Sequence, residues 1–184
     1  PFRDVFDYVY LASDLANLPG TKYSKIRNRL NKFKKNFSYT IESITDNNLN
    51  EVREFLRRWC LWKECESDPL LENEKKAILN SIDHFIELEL SGVAIRIYDK
   101  IEAISVYEKM TTDMAVVHYE KGSPDYDGIY KAINQETAKI LQKKFKFINR
   151  ESDMNIAGLR KAKMSYHPHH MVEVFNLAKE NFLI

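Results

Sequence analysis

Residues 93–120, VAIRIYDKIEAISVYEKMTTDMAVVHYE, decide the fold. They read as three strands in quick succession, Val93–Tyr98, Glu102–Lys109 and Met114–Glu120. β-Branched and aromatic residues fill these runs, and Asp99-Lys100 and Thr111-Thr112-Asp113 sit at the hairpin positions between them. Downstream, a loop over Lys121–Asp127 carries Gly122 and Pro124, and a helix follows with Ile129, Ile133, Thr137, Ile140 and Leu141 on one face. Lys146–Asn149 is then a short strand, and Ile156–Ser165 a short helix capped by Asp153 or Asn155. His170–Phe175 is a final strand.

Working upstream, two helices precede the three strands. The first covers about Asn48–Glu64, with Leu49, Val52, Phe55, Leu56 and Trp59 on one face. Pro69 separates it from the second, Leu71–Leu90, which carries Ile78, Ile82, Phe85 and Ile86 and stops at Gly92. Ser38–Thr45 is a strand. Tyr23–Asn36 is a basic amphipathic helix, because Ile26, Leu30, Phe33 and Phe37 form one apolar stripe. The order is therefore β-α-α-β-β-β-α-β-α-β after a helical N-terminal arm, an α/β pattern. Glycine and proline are scarce, five each, and no repeat or low-complexity linker divides the 184 residues.

The formal net charge is only +1, but its distribution is uneven. Between Leu15 and Ile41 there is no acidic residue, while Lys22, Lys25, Arg27, Arg29, Lys32, Lys34 and Lys35 are all cationic. Lys143–Lys163 is also basic, and Glu42–Glu102 is net acidic. Such asymmetry points to an anionic partner. Cys60 and Cys65 are five apart on one helix and face different ways, which excludes a local disulfide. A reducing, cytoplasmic setting is the expectation. No apolar run is long enough to span a membrane. The chain starts at Pro1 in an aromatic segment, as a fragment of something longer would.

Several motifs carry a family resemblance. They are Tyr126-Asp127-Gly128-Ile129-Tyr130 with Ile133-Asn134-Gln135-Glu136, then Asn149-Arg150-Glu151-Ser152-Asp153, and Gly158-Leu159-Arg160-Lys161-Ala162-Lys163-Met164-Ser165-Tyr166. The basic run Lys22–Lys34 matches as well. Together they resemble the phosphatidylglycerol lysyltransferase C-terminal-type domain family, and the match spans nearly the whole chain. The resemblance implies a GNAT-like (acyl-CoA N-acyltransferase-like) fold, a mixed, mostly antiparallel sheet flanked by helices, which agrees with the element order. It implies residues 1–37 as N-terminal arm and basic linker helix, and 38–184 as the GNAT-like domain, the second half of a two-GNAT protein. It also implies transfer of an aminoacyl group from aminoacyl-tRNA, the co-substrate, to a hydroxyl or amine acceptor. No resident cofactor is implied. The acceptor, the amino acid and the oligomeric state are left open.

The residues themselves allow two readings at most positions. Glu120 is a candidate base or amino-group receptor, and with Lys121 it also suits a surface ion network. Asn149, Arg150 and Glu151 follow the next strand, and Glu151 is, beside Glu120, the second candidate catalytic carboxylate. Alternation points Arg150 one way and the other two the opposite way. Arg150 offers a planar fork for phosphate or carboxylate, whereas Asp153 reads as a helix cap. Arg160 and Lys163 share a helix face suited to a tRNA phosphate or to solvent. Tyr166 suits a cleft hydrogen bond or the core. Lys121, Tyr126, Gly128, Tyr130 and Asn134 line the expected substrate cleft, where Gly128 either receives a polar terminus or lets its helix pack close to the sheet. The loop from Lys121 to Gly128 holds two aspartates and a proline where a pyrophosphate needs bare backbone donors, which disfavours acetyl-CoA. Lys25, Arg27, Arg29 and Lys32 on the basic helix suit tRNA, an anionic lipid surface, or plain solvation. His167-Pro168-His169-His170 lacks the further ligands of a metal site.

Overall fold

The computed structural model describes residues 2–64 and 69–175. Seven strands form one sheet in the order β2-β3-β4-β5-β6-β1-β7. They are β1 Asp7–Leu11, β2 Thr40–Ser43, β3 Ser91–Ile97, β4 Lys100–Lys109, β5 Met114–Gly122, β6 Phe147–Asn149 and β7 His170–Val172. All neighbours are antiparallel except β5 and β6. The helices are α1 Ala12–Asn17, α2 Ser24–Asn36, α3 Leu49–Lys63, α4 Pro69–Asp83, α5 Ile129–Leu141 and α6 Ala157–Met164.

The sheet separates two cores. On one face α1, α2 and α5 bury Leu15, Ile26, Leu30, Phe33, Ile129 and Ile133 with Tyr8, Tyr10 and Tyr166. On the other, α3 and α4 bury Val52, Phe55, Leu56, Trp59, Ile78 and Ile82 against Ala94, Ile104 and Val106. The stripes expected on α2 and α3 are the buried ones, as a 3.6-residue period requires. On α5 the expectation was too narrow. Nine of its thirteen residues are buried, including Asn134, Gln135, Glu136 and Thr137, because α1 and α2 cover the face that does not meet the sheet. Ile140, expected inward, is exposed.

Several boundaries differ from the sequence reading. Residues 7–11, within the segment read as a helical arm, form β1 between β6 and β7. This strand is buried on both faces, so it has no alternation to betray it. Helix α4 stops at Asp83 rather than Leu90, leaving Ile86 exposed, and Gly92 lies inside β3 instead of ending a helix. A Cβ on Gly92 would come within 2.6 Å of the Ile44 side chain, which accounts for the glycine. The β3–β4 hairpin turns at Tyr98-Asp99, both with positive φ, and Lys100 already pairs with Ile97. Asp153 is not the cap of α6, whose N-cap residue is Ile156. The final strand ends at Val172. Cys65 lies outside the described residues, and Cys60 is buried.

Candidate functional site

Strands β5 and β6 pair only from Met114–Val116 to Phe147–Asn149. Beyond that point β5 continues to Gly122 alongside β4, while the chain after Asn149 turns away through Glu151, which has a φ of 54°. The sheet therefore forks. At the base of the fork β5 carries a bulge: Val117 pairs with Tyr107 and Tyr119 with Val106, leaving His118 as the extra residue.

Each face of the fork is bridged. On the α5 face Glu120 and Arg150 meet at 2.5 Å, with side chains only 8% and 15% exposed. Asn134 of α5 donates to the same carboxylate, 3.1 Å from Oε1. The Arg150 guanidinium lies 5.2 Å from the Tyr166 ring and 5.8 Å from that of Tyr10. Lys131, one turn before Asn134 and 4.7 Å from the Tyr166 ring, closes the cluster. On the opposite face His118 binds Glu151 through Nδ1 at 2.9 Å and Glu108 through Nε2 at 3.2 Å. The hydrogen bond to Glu151 raises the His118 pKa against the opposing effect of burial.

The electrostatics of the buried face are those of cations crowded out of water. Burial pushes Lys131 down to about 8, with the Arg150 and Arg29 charges adding to the effect and Glu120 opposing it. Burial and Arg150 also bring Lys163 down to about 8, although its ammonium donates to the carbonyls of Arg150, Glu151 and Ser152. Burial pushes the Tyr10 and Tyr166 phenols up. Two buried atoms of the cluster have no hydrogen-bond partner, the acceptor Asn134 Oδ1 and the donor Arg150 Nη1. Leaving such groups unpaired is costly, and a bound ligand that supplies both complements removes the cost.

Of the residues singled out from the sequence, the structure gathers Glu120, Asn134, Arg150, Lys163 and Tyr166 into this cluster. The surface ion network of Glu120 with Lys121 does not form, because strand alternation sends the two side chains to opposite faces. Lys121 is buried against α3 and α4, 2.7 Å from Glu74 and 4.2 Å from the Trp59 ring. Tyr130 joins that side by accepting from Trp59 Nε1 at 3.2 Å. Asn149 donates to Asp7 and accepts from the Glu151 amide. Arg160 is tied to Asp153 and Asp4 at 2.9 and 2.8 Å, away from the fork cluster. Asp153, with a fully buried side chain, also binds Tyr8 and Arg3, and it anchors α6 to the N-terminal segment.

The basic helix is partly neutralised. Arg29 and Lys32 share Asp127, at 2.5 and 3.7 Å, and Arg27 donates to the carbonyls of Leu18 and Gly20. Lys25 is exposed. Tyr126 packs edge-on against Phe37. Gly128 caps α5 with a φ of 97°, and a Cβ there would lie 2.9 Å from that of Phe33. The close approach is thus to α2, and not to the sheet as one of the two readings of Gly128 had it. Among the described residues no group of three or more His, Cys, Asp or Glu could hold a metal ion, and no helix is long and apolar enough to cross a membrane.

Lys131, Tyr10 and His118 escaped the sequence reading. Lys131 is a single lysine between Ile129-Tyr130 and Ala132-Ile133 with no motif around it, Tyr10 lies in the unrecognised β1, and His118 is aimed by a bulge that has no sequence signature.

Comparison with known proteins fits this architecture. The family model described as "Phosphatidylglycerol lysyltransferase, C-terminal" matches residues 1–178. A conserved protein of unknown function from Bacteroides thetaiotaomicron superimposes with a TM-score of 0.88 at 35% identity, over 92% of this chain and 57% of its own. The C-terminal domain of a putative lysylphosphatidylglycerol synthetase from Agrobacterium fabrum gives 0.66 at 15% identity, over 93% and 58%. An aminoglycoside acetyltransferase from an uncultured soil metagenomic sample gives 0.50 at 18%, over 78% and 96%, a likeness of fold. The chain thus spans somewhat over half of the first two relatives. No curated protein matches it. With the family model matching nearly end to end and the forked mixed sheet in place, the chain belongs to the phosphatidylglycerol lysyltransferase C-terminal family and has the GNAT fold.

Proposed function

We propose that this domain transfers an aminoacyl group from aminoacyl-tRNA to a hydroxyl or amine acceptor, by direct attack on the ester and without a metal. The observation that carries the proposal is the pair of partnerless buried atoms, Asn134 Oδ1 and Arg150 Nη1, on the two residues that hold the Glu120 carboxylate. An α-aminoacyl ester has the two complements. Its ammonium suits Glu120 and Asn134 Oδ1, and its carbonyl oxygen suits Arg150 Nη1, a fixed donor for the oxyanion that forms on attack. Family membership supports the same chemistry.

An acyl-CoA donor fits less well. Amides in the loop before α5 are already committed: Ser123 to the Glu102 carbonyl, Asp125 to the Ser123 hydroxyl, and Ile129 to the Tyr126 carbonyl. Asp125 and Asp127 add negative charge where a pyrophosphate would dock. On the basic helix, exposed Lys25 is open to a tRNA phosphate or an anionic lipid headgroup, whereas Arg29 and Lys32 share Asp127.

The test is discharge of a pool of charged tRNAs by the full-length protein across a panel of lipid and amine acceptors. We expect discharge that Glu120→Gln and Arg150→Met both abolish. Absence of discharge with every acceptor, together with saturable acetyl-CoA binding by calorimetry, overturns the reading in favour of an acyl-CoA donor.

A further inference from the structure

We infer that Lys131 is the general base of the fork site, the group that takes the proton from the attacking acceptor. The inference rests on the transfer reading above and adds a residue to it.

Most titratable groups on the α5 face of the fork are not free to accept a proton. Glu120 is held by Arg150 and Asn134. Lys163 donates to three backbone carbonyls and could release its proton only by breaking that cradle. The Tyr10 hydroxyl donates to the Lys163 carbonyl. Tyr166, deep in the core, keeps its proton because burial pushes its phenol up. Lys131 differs from all of these. Among the described residues its ammonium has neither a hydrogen-bond acceptor nor an ion-pair partner, and it lies over the face of Tyr166, 4.7 Å from the ring.

Placement gives this freedom a direction. Lys131 lies in the first turn of α5, and helical side chains lean toward the N-terminus. That lean carries the amine toward the open end of the fork. The charged groups that face it are Arg150 from beyond β6, Arg29 from α2 and Glu120 from β5, two cations against one carboxylate. The cations and the loss of water favour the neutral amine. With a midpoint near 8, the neutral fraction at pH 8 is roughly a hundredfold above that of an ordinary lysine.

The step balances within the site. The acceptor oxygen or nitrogen attacks the ester carbonyl carbon as its proton passes to Lys131 Nζ. The carbon–oxygen bond to the tRNA ribose then breaks, and the ribose oxygen takes a proton from the Lys131 ammonium, which restores the neutral amine.

Two measurements on the full-length protein test this. The first is trace labelling with acetic anhydride from pH 6 to 10, read by mass spectrometry against added Nα-acetyl-lysine. The Lys131 midpoint should fall near 8, clearly below that of the standard. The second is the pH–rate profile of aminoacyl transfer. Lys131→Arg keeps the charge and the contact with Tyr166 but cannot deprotonate. It should lower kcat about a hundredfold or more, flatten the limb that rises through pH 8, and leave KM little changed. Lys131→Gln should behave alike. A labelling midpoint equal to that of the standard overturns the inference. So does a Lys131→Arg enzyme with the wild-type rate and profile, and in that case the transfer reading stands. A wild-type protein that transfers nothing at any pH overturns the transfer reading itself.

Discussion

Replacing Arg150 by methionine should be among the most damaging single changes in this protein. The substitution keeps length and apolar stem but removes the cation facing Glu120, whose side chain is 8% exposed. Removing one partner of a buried ion pair typically costs about 3–5 kcal/mol, because the remaining charge has lost its compensation and cannot return to water. Asn134 still donates to the carboxylate, which places the expectation near the lower end, about 3 kcal/mol. At a urea m-value of about 2.5 kcal/mol/M, that is a midpoint shift of roughly 1 M. The double variant Glu120→Gln/Arg150→Met should recover much of the loss, since no charge is then stranded, giving a coupling energy of about 2 kcal/mol. Acid should partly rescue Arg150→Met alone, because protonating the stranded carboxyl removes the penalty. The assay is urea unfolding of wild type, both single variants and the double variant at pH 7 and pH 5. A loss below about 1 kcal/mol for Arg150→Met with no coupling would refute the reasoning, showing that the pair is solvated and the fork face open.

Gly128→Ala should destabilise by about 1–3 kcal/mol, since φ is 97° and the new Cβ would meet Phe33, whereas Gly158→Ala, with open space and a helical position, should stabilise by about 0.5–1 kcal/mol. Thermal melts of the two variants would separate backbone strain from helix propensity. Asp153 is held well below the usual carboxylate range, first by its hydrogen bond to Arg160. Its contribution is therefore present above an unfolded-state pKa of about 3.9 and lost as pH falls further. Asp153→Asn should cost about 2–3 kcal/mol at pH 7 and lose part of the acid sensitivity of the wild type, as measured by unfolding between pH 2 and 7. His118 has the opposite sign. Its pKa is raised by Glu151, so its contribution is full below an unfolded-state value of about 6.5 and disappears as pH rises through the folded value. The stability difference between wild type and His118→Gln should shrink from pH 6 to pH 9, and a constant difference would count against the Glu108–His118–Glu151 bridge.

The sequence was most legible where one element meets one neighbour. Ile26, Leu30 and Phe33 on α2, and Val52, Phe55, Leu56 and Trp59 on α3, each face a single core, so a 3.6-residue stripe shows directly. Strands β3, β4 and β5 were legible as β-branched runs between turn residues. Burial on more than one side erased the pattern elsewhere. Helix α5 is covered by α1, α2 and the sheet, so Asn134, Gln135 and Glu136 are inside although the stripe did not include them. Strand β1 is likewise enclosed on both faces and was missed.

The candidate site divides along the same line. Alternation after β6 was enough to separate Arg150 from Glu151, because a period of two is a property of local backbone geometry, and the same period along β5 parts Glu120 from Lys121, against the ion network read from the sequence. Chain order together with the family motifs was enough for the GNAT fold. Only the tertiary structure decided which of those groups share a face. Glu120 and Arg150 are thirty positions apart and meet because the sheet forks beyond three paired residues. Arg160 leaves the site because buried Asp153 and Asp4 of the N-terminal segment hold it. Lys131 enters because the turn at Gly128 and its packing on Phe33 set where α5 begins. Such pairings depend on distances between residues far apart in the chain, and local residue order does not encode those distances.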